Sequence, residues 1–286
     1  MFGEIKVIET MTNLQLKDAK IDQAQIQIHG LSQNIHTVNL QVKQKFDIKR
    51  SKEPISGCII LPDNRIIIAD HRSGQLMEYN TNGQHIRDIP VSDKPYSLTL
   101  VDTNCIAVTY GHSYYLEIIN TKKRERKKLK CKNNCWGISN QDQKLYVVVL
   151  GQGIVVMDVH GKTLKTIDID VSGVFFITTT SDRIYYTNQV SNTVHCCSMT
   201  GHEIWVFKDQ SITLPGGISV DHNQNVYVVG TWSHNLTLIQ HDGKDSKVLL
   251  TYRDGLNLPA AVHYNKEKNI VCLGCKKGSV ELYQVS

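Results

Sequence analysis

A turn containing glycine recurs along this chain at intervals of about 40 residues. It can be read in the segments YNTNGQ, DVHGKT, SMTGHE and QHDGKD, whose glycines are Gly83, Gly161, Gly201 and Gly243. The spacing is 40 residues from Gly161 to Gly201, 42 from Gly201 to Gly243, and 78, or two steps of 39, from Gly83 to Gly161. A period of about 40–45 residues with several strands in each unit is typical of a β-propeller.

Each repeat also contains a compact apolar run, which predicts a strand buried on both faces between neighbouring blades. These runs are IIIA, CIAVTY, LYVVVL, IYYTN, VYVVG and IVCLG. Pro95, Pro215 and Pro259 fall where innermost strands would begin, a place that tolerates a missing N–H. The pattern predicts an all-β fold, a six-bladed β-propeller with four strands in each blade.

The last repeat ends after its third strand, so it lacks one strand. The segment VNLQVKQKFDIK, residues 38–49, alternates apolar and polar residues as a strand does. A ring that borrows a strand from the other end of the chain protects its terminal edges. We therefore expect this N-terminal strand to complete the last blade, and we assign 38–286 to the propeller. Residues 1–37 lack the repeat, which predicts an N-terminal extension or linker.

Composition narrows the class of protein. The chain has 286 residues, 41% of them hydrophobic and 21% charged, and no apolar run approaches the ~18 residues of a membrane helix. The N-terminus lacks a secretory apolar segment, which predicts a cytoplasmic protein without a membrane partner.

Two cysteine pairs raise the question of zinc. Cys131 with Cys135, and Cys272 with Cys275, have the spacing of zinc half-sites. The two pairs lie far apart in the sequence, and neither has a nearby pair of histidines. In a cytosolic chain such cysteines usually behave as small buried hydrophobes. We expect no metal and no cofactor.

Most of the positive charge is local. The formal net charge is +5, but 122–132 contains eight basic residues and one acidic residue, so this segment contributes +7 and the remainder −2. Such a patch attracts phosphate groups. The alternative is an outer strand whose lysines prevent unwanted strand pairing. The patch consists of Lys122, Lys123, Arg124, Arg126, Lys127, Lys128 and Lys130.

Aromatic, histidine and basic residues recur in the loops predicted to surround the mouth of the central channel. Such a surface could hold a peptide, or could stack unpaired RNA bases while cations contact phosphates. For Tyr96 and Trp136, packing between blades is an equally good explanation. The candidate binding residues are His71, Arg72, Tyr96, His112, Trp136, Trp232, His234 and Lys276.

Several units resemble NHL repeats, which would make the propeller one of the NHL or YWTD type. The fifth unit, LPGGISVDHNQNVYVVGTWSHNLTLIQHDGK, matches best, and the first keeps Asp63, Ile68, Asp70 and Gly83. The second unit departs from the pattern because it lacks the turn glycine. The matching residues of the fifth unit are Pro215, Gly217, Ile218, Val220, Asp221, Asn225, Tyr227, Val228, Asn235, Leu238, Asp242 and Gly243.

Over about 38–286 the arrangement is similar to the C-terminal propeller of tripartite-motif proteins, particularly their divergent invertebrate members. In that family a RING domain carries the ubiquitin-ligase chemistry, and this chain contains no RING, B-box or heptad pattern. The resemblance therefore implies a non-catalytic module that recognises a protein partner, with no small-molecule substrate. Single-stranded RNA binding is the alternative.

A weaker alternative is a metal-dependent hydrolase of the gluconolactonase type. Such propellers hold a divalent cation at the axis through Glu, Asn and Asp side chains. The predicted innermost strands here read CIIL, SLTL, WGIS, FFIT, GGISV and AAVHY, and they offer almost no such ligands. No catalytic arrangement can be recognised from spacing either, so we expect no enzymatic activity.

Overall fold

A computed structural model describes residues 34–48, 55–123 and 125–286. These residues contain 24 strands in six antiparallel sheets of four. Each sheet is one blade of a six-bladed β-propeller, which confirms the predicted fold. The compact unit that holds the blades spans Gln33–Ser286. No helix in these ranges could span a membrane.

The first three blades follow one another along the chain, each running from its innermost to its outermost strand. Blade 1 contains β2 (Ile55–Ile60), β3 (Ile66–Asp70), β4 (Gln75–Tyr79) and β5 (His85–Pro90). Blade 2 contains β6 (Ser97–Leu100), β7 (Cys105–Thr109), β8 (Tyr115–Asn120) and β9 (Arg126–Lys130). Blade 3 contains β10 (Cys135–Gln141), β11 (Lys144–Val149), β12 (Gly153–Asp158) and β13 (Thr163–Ile167).

The next two blades repeat this order, and the last contains only three consecutive strands. Blade 4 contains β14 (Val174–Thr179), β15 (Arg183–Asn188), β16 (Thr193–Ser198) and β17 (Glu203–Phe207). Blade 5 contains β18 (Pro215–Val220), β19 (Val226–Gly230), β20 (Asn235–Ile239) and β21 (Ser246–Leu250). Blade 6 contains β22 (Pro259–Asn265), β23 (Ile270–Cys275) and β24 (Ser279–Val285).

The fourth strand of blade 6 comes from the other end of the chain, as predicted. This strand is β1 (Leu40–Asp47), and it pairs antiparallel with β24 from Leu40 opposite Val285 to Asp47 opposite Ser279. Just before it, Ile35 and Val38 are each 1% exposed and pack into the core cluster shared by blades 5 and 6. Ring closure therefore buries apolar side chains and does not rest on strand pairing alone.

The recurring glycines lie in the turns between third and fourth strands. Gly83 and Gly201 have φ values of +74° and +93°, in the left-handed region that glycine adopts without strain. A Cβ atom at Gly83 would also lie 2.7 Å from the Phe46 side chain of β1. The turn thus needs glycine for its backbone, and at Gly83 for its packing as well.

Buried glutamates are found in the third strands of blades 6, 1 and 2, where each residue is at most 4% exposed. In the strand register, each glutamate lies directly opposite a lysine or arginine of the neighbouring fourth strand. A buried carboxylate needs such a partner. The pairs and their N–O distances are Glu281–Lys45 (2.9 Å), Glu78–Arg87 (2.7 Å) and Glu117–Lys128 (3.9 Å).

Candidate functional site: the top face

The antiparallel order of the strands gives the propeller two unlike faces. One face carries the turns between second and third strands and the connections from blade to blade, and we call it the top face. The bottom face carries the turns between first and second strands and between third and fourth strands. All eight candidate binding residues predicted from the sequence lie on the top face, at blades 1, 2, 3, 5 and 6.

Four aromatic rings from blades 2, 3 and 4 pack together where the innermost strands begin. The Trp136 ring lies 4.8 Å from the rings of both Tyr96 and Phe175, and Tyr96 lies 5.5 Å from Phe176. All four side chains are half-buried. Gly111 permits this packing, because a Cβ atom there would lie 2.8 Å from the Trp136 ring. These residues both fill space between blades and form part of the surface.

Two histidines border this aromatic cluster. The exposed ring of His112 lies 4.8 Å from Trp136, and the half-buried ring of His71 lies 5.9 Å from Tyr96. The Nδ1–H group of His71 donates a hydrogen bond to the Pro95 carbonyl at 3.1 Å. Burial raises the pKa of Tyr96 well above its ordinary value, so this phenol stays protonated at physiological pH. The four rings of the cluster therefore carry no charge at physiological pH.

The other half of the channel mouth is lined by small residues. Blade 5 contributes Gly216 and Gly217, and blade 6 contributes Ala260 and Ala261. A Cβ atom at Gly217 would lie 2.7 Å from the backbone nitrogen of Val262, so a larger side chain does not fit there. The mouth is consequently asymmetric, with aromatic rings on one side and small residues on the other.

Exposed apolar side chains are unevenly distributed over the described residues. Of the eleven large ones, six lie on the outermost strands and five on the top face, and the bottom face has none. Four of the five occupy the turns between second and third strands of blades 2, 3, 4 and 5. These four are Tyr114 (60% exposed), Leu150 (41%), Val190 (80%) and Trp232 (63%), and the fifth is Tyr252 (63%).

In blades 6 and 1 the equivalent turns carry cations. Lys276 is half-buried, while Lys277 and Arg72 are exposed. In blade 5, His234 is half-buried; its Nδ1 atom accepts a hydrogen bond from Leu258 N–H at 3.1 Å, and its ring lies 5.4 Å from Tyr252. The top face therefore has an apolar arc over blades 2 to 5 and a cationic arc over blades 6 and 1.

The basic patch lies away from the top face, on the turn between β8 and β9 and on β9 itself, the outermost strand of blade 2. Lys122, Lys123, Lys127 and Lys130 are exposed. Lys128 pairs with buried Glu117 and lies 4.4 Å from the centre of the Tyr115 ring. Arg124 lies outside the described residues.

The innermost strands of all six blades surround a central channel of about 380 Å³. Backbone N–H groups on these strands donate hydrogen bonds to side chains of the preceding blade, which satisfies an edge that has no strand partner. The bonds run from Asn140 to Thr99 Oγ1 (3.2 Å), Thr179 to Ser139 Oγ (3.1 Å), Tyr264 to Ser219 Oγ (2.9 Å) and Ile60 to His263 Nδ1 (3.2 Å).

His263 makes stability depend on pH, because its Nδ1 atom can accept the Ile60 hydrogen bond only when the imidazole is neutral. Burial lowers its pKa from 6.5 to about 4. As pH falls from 6.5 to about 4, the unfolded chain takes up a proton that the folded chain does not, so the free energy of unfolding decreases. We expect the free energy of unfolding to decrease by at most about 3 kcal/mol. Water in the channel would make this decrease smaller, because it solvates the imidazolium.

The matched variant for this prediction is His263→Ser. It puts a serine hydroxyl at the junction of blades 6 and 1, where Ser139 and Ser219 already accept the equivalent hydrogen bonds at other junctions. Urea unfolding of both proteins across that pH range measures the effect. The variant should lose less stability on acidification than the natural chain. Equal losses would show that His263 is not the titrating group.

Among the described residues, no group of three or more His, Cys, Asp or Glu side chains could hold a metal ion. All eight cysteines lie in the described ranges and are free thiols. The channel is lined by hydroxyl groups, by His263, by the amide side chains of Asn140, Gln141 and Asn265, and by the carboxylate of Glu267.

Sequence analysis missed part of the top face. Phe176 belongs to the aromatic cluster, and Tyr114, Leu150 and Val190 belong to the apolar arc, yet none was selected as a candidate. Phe176 lies in the innermost strand β14 and the other three lie next to buried strands, where an apolar residue is normally interpreted as core. For Tyr114, Leu150 and Val190, the available clue was their position in equivalent turns of successive repeats.

No protein-family model and no curated protein sequence matches the chain. A streptogramin B lyase structure is similar to it, with a TM-score of 0.65 and 13% identity over 88% of this chain and 99% of that chain. A virginiamycin B lyase from Staphylococcus aureus gives a TM-score of 0.61 and 17% identity, covering 86% and 88%. A Bacteroides thetaiotaomicron protein of unknown function gives 0.71 and 10%, covering 87% and 76%.

These similar structures agree with the propeller fold of this chain. At sequence identities of 10–17%, the similarity shows the fold and nothing more. Two of the three similar proteins are enzymes. Because no family model matches, the resemblance to NHL repeats rests on the residues quoted above. The chain is thus similar to known propellers in architecture, while its top face has to be interpreted from its own residues.

Proposed function

We propose that this propeller is a non-catalytic recognition module that binds a protein partner through its top face. The main support for this proposal is the apolar arc formed by Tyr114, Leu150, Val190 and Trp232. The described residues of the bottom face include no large exposed apolar side chain. Exposed apolar and aromatic side chains that recur on one surface are typical of protein interaction sites. The rigid ring holds the four turns in place before a partner arrives, which lowers the entropic cost of binding.

The resemblance to tripartite-motif propellers suggests a setting for this function. In such a protein the propeller selects the target, and a RING domain elsewhere carries the ubiquitin-ligase chemistry. We propose the same division of labour for this chain and a cytoplasmic location for the protein. The support is the resemblance of the repeats together with the position of the apolar arc.

Enzymatic activity is less well supported. The similar lyase structures are enzymes, but the top face described here has no cluster of three metal-ligating side chains. The four rings of its aromatic cluster carry no charge at physiological pH, and such rings favour contact with a ligand surface. Of the two histidines beside the cluster, His71 already uses its Nδ1 atom in the hydrogen bond to the Pro95 carbonyl.

RNA binding is also less well supported, because the basic patch lies away from the aromatic rings, and the cationic arc of the top face holds Arg72, Lys276 and Lys277 without a groove of cations along the rings. Proteins that bind single strands combine a cationic groove with stacking rings. Here the rings lie on the top face, whereas Lys122 to Lys130 lie on the outermost strand of blade 2 and its preceding turn. A patch without stacking rings would bind nucleic acid weakly and lose it with added salt.

Selection from a displayed library of random peptides would test the protein-binding proposal. Peptides selected on the natural chain should bind a Trp232→Ala, Val190→Ser variant at least tenfold more weakly, because truncating a central anchor typically costs about 2 kcal/mol or more. Both positions are exposed, so the melting temperature should hardly change.

The control is Ile204→Ser with Val206→Ser, which removes two exposed apolar side chains from the outermost strand β17. This variant should keep full affinity for the selected peptides. Peptides that depend on Ile204 and Val206, and not on Trp232 and Val190, would move recognition to the rim and contradict the proposal.

A further inference from the structure

Lys276 combines partial burial with an uncompensated charge. It lies on the turn between β23 and β24, and burial lowers its pKa below the ordinary lysine value. Among the described residues, its Nζ atom has no hydrogen bond and no carboxylate within ion-pair distance. A partly desolvated ammonium group without a partner is unfavourable, and a carboxylate brought to it would restore the lost interaction.

The surroundings of Lys276 connect it to the apolar arc. Its backbone N–H group donates to the Leu258 carbonyl at 2.8 Å, and the Leu258 N–H group donates to His234 Nδ1 at 3.1 Å. His234 lies two residues after Trp232 in the same turn. One residue, Leu258, therefore joins the lysine turn of blade 6 to the tryptophan turn of blade 5. The turn that carries the unpaired cation and the turn that carries the exposed indole are therefore adjacent on the top face.

The acidic residue of the connection between blades 5 and 6, Asp254, already has hydrogen-bond partners within that connection. Asp254 accepts hydrogen bonds from Thr251 N–H at 2.9 Å and from the Thr251 hydroxyl at 2.8 Å, and these bonds close the turn that presents Tyr252. Its carboxylate is therefore committed to local structure. A carboxylate for Lys276 would have to come from a bound molecule.

We propose that Lys276 is the anchor for a carboxylate of the partner, so that the top face prefers a segment in which an acidic group adjoins an apolar, preferably aromatic, side chain. The acid would contact Lys276, and the apolar side chain would pack on Trp232 and Tyr252. This inference rests on the proposed function and specifies its ligand. Charge complementarity selects an acidic partner over a basic one.

Indole-3-acetate and indole-3-acetamide are suitable probes, because they share a ring and differ in the carboxylate. Titrations followed by NMR should show that the natural chain binds the acid about tenfold more tightly than the amide, the ratio expected for one hydrogen bond to a charged group. Lys276→Gln should remove this preference and leave the amide affinity unchanged. Lys276→Arg should retain most of it.

Lys277→Gln is the matched control, because it removes the same charge from the adjacent exposed position. It should change the preference less than twofold. A natural chain that binds acid and amide equally, or binds neither, would overturn the inference, as would an equal loss in the two glutamine variants. Peptide selection tests the top face independently, since apolar peptides without acidic residues could still depend on Trp232.

Discussion

A chain that begins at Pro54 should fail to unfold in a single cooperative transition, whereas a chain that begins at Gln33 should melt within a few degrees of the full protein. The shorter chain lacks β1, and with it the buried side chains of Ile35, Val38 and Ile48. Each such side chain contributes about 1.5–3 kcal/mol when buried. Their sum is comparable with the whole stability of a typical domain.

Loss of β1 has two further consequences. The edge of β24 would be left without a strand partner, which promotes aggregation. Glu281, only 4% exposed, would lose Lys45. Calorimetry measures the transition, and a synthetic peptide of residues 34–48 added to the shorter chain should restore it in part. An unchanged transition in the chain that begins at Pro54 would show that blade 6 does not need β1.

Replacement of Glu78 by alanine should destabilise the protein by about 2–4 kcal/mol, because it removes two hydrogen bonds between charged groups, while the arginines left behind are partly exposed. Glu78 is fully buried, and its carboxylate accepts hydrogen bonds from Arg65 and from Arg87 Nε at 2.7 Å. Arg87 also donates to the Thr121 carbonyl at 2.6 Å, so the same network joins blade 1 to blade 2. Its loss should be measured as a lower urea midpoint.

Two comparisons separate charge from packing in this experiment. Glu78→Gln keeps the shape of the side chain and removes the charge, so it should destabilise less than alanine. Glu203→Ala removes a glutamate that is exposed on β17, and it should change the free energy of unfolding by less than about 0.5 kcal/mol. Equal effects of Glu78→Ala and Glu203→Ala would contradict the structural role of the buried network.

The architecture of the propeller could be predicted from the amino-acid sequence alone. The period of about 40 residues, the apolar second strands and the incomplete last repeat predicted six blades and a ring closed by an N-terminal strand. These features are visible because strand periodicity and turn glycines are local properties, set by backbone geometry at each repeat. The apolar strand pattern also occurs in all six repeats, so a weak match in one repeat is compensated by clear matches in the others.

Which residues of the top face meet one another depends on how the blades pack in three dimensions. Tyr96, Trp136, Phe175 and Phe176 come from three blades and meet because the ring brings the first residues of their innermost strands side by side. The burial of Glu78 opposite Arg87, and the position of Lys276 beside Leu258 without a carboxylate, depend on contacts between residues distant in sequence. Local patterns carry no record of such contacts, since desolvation and pairing of charge arise only when the blades pack.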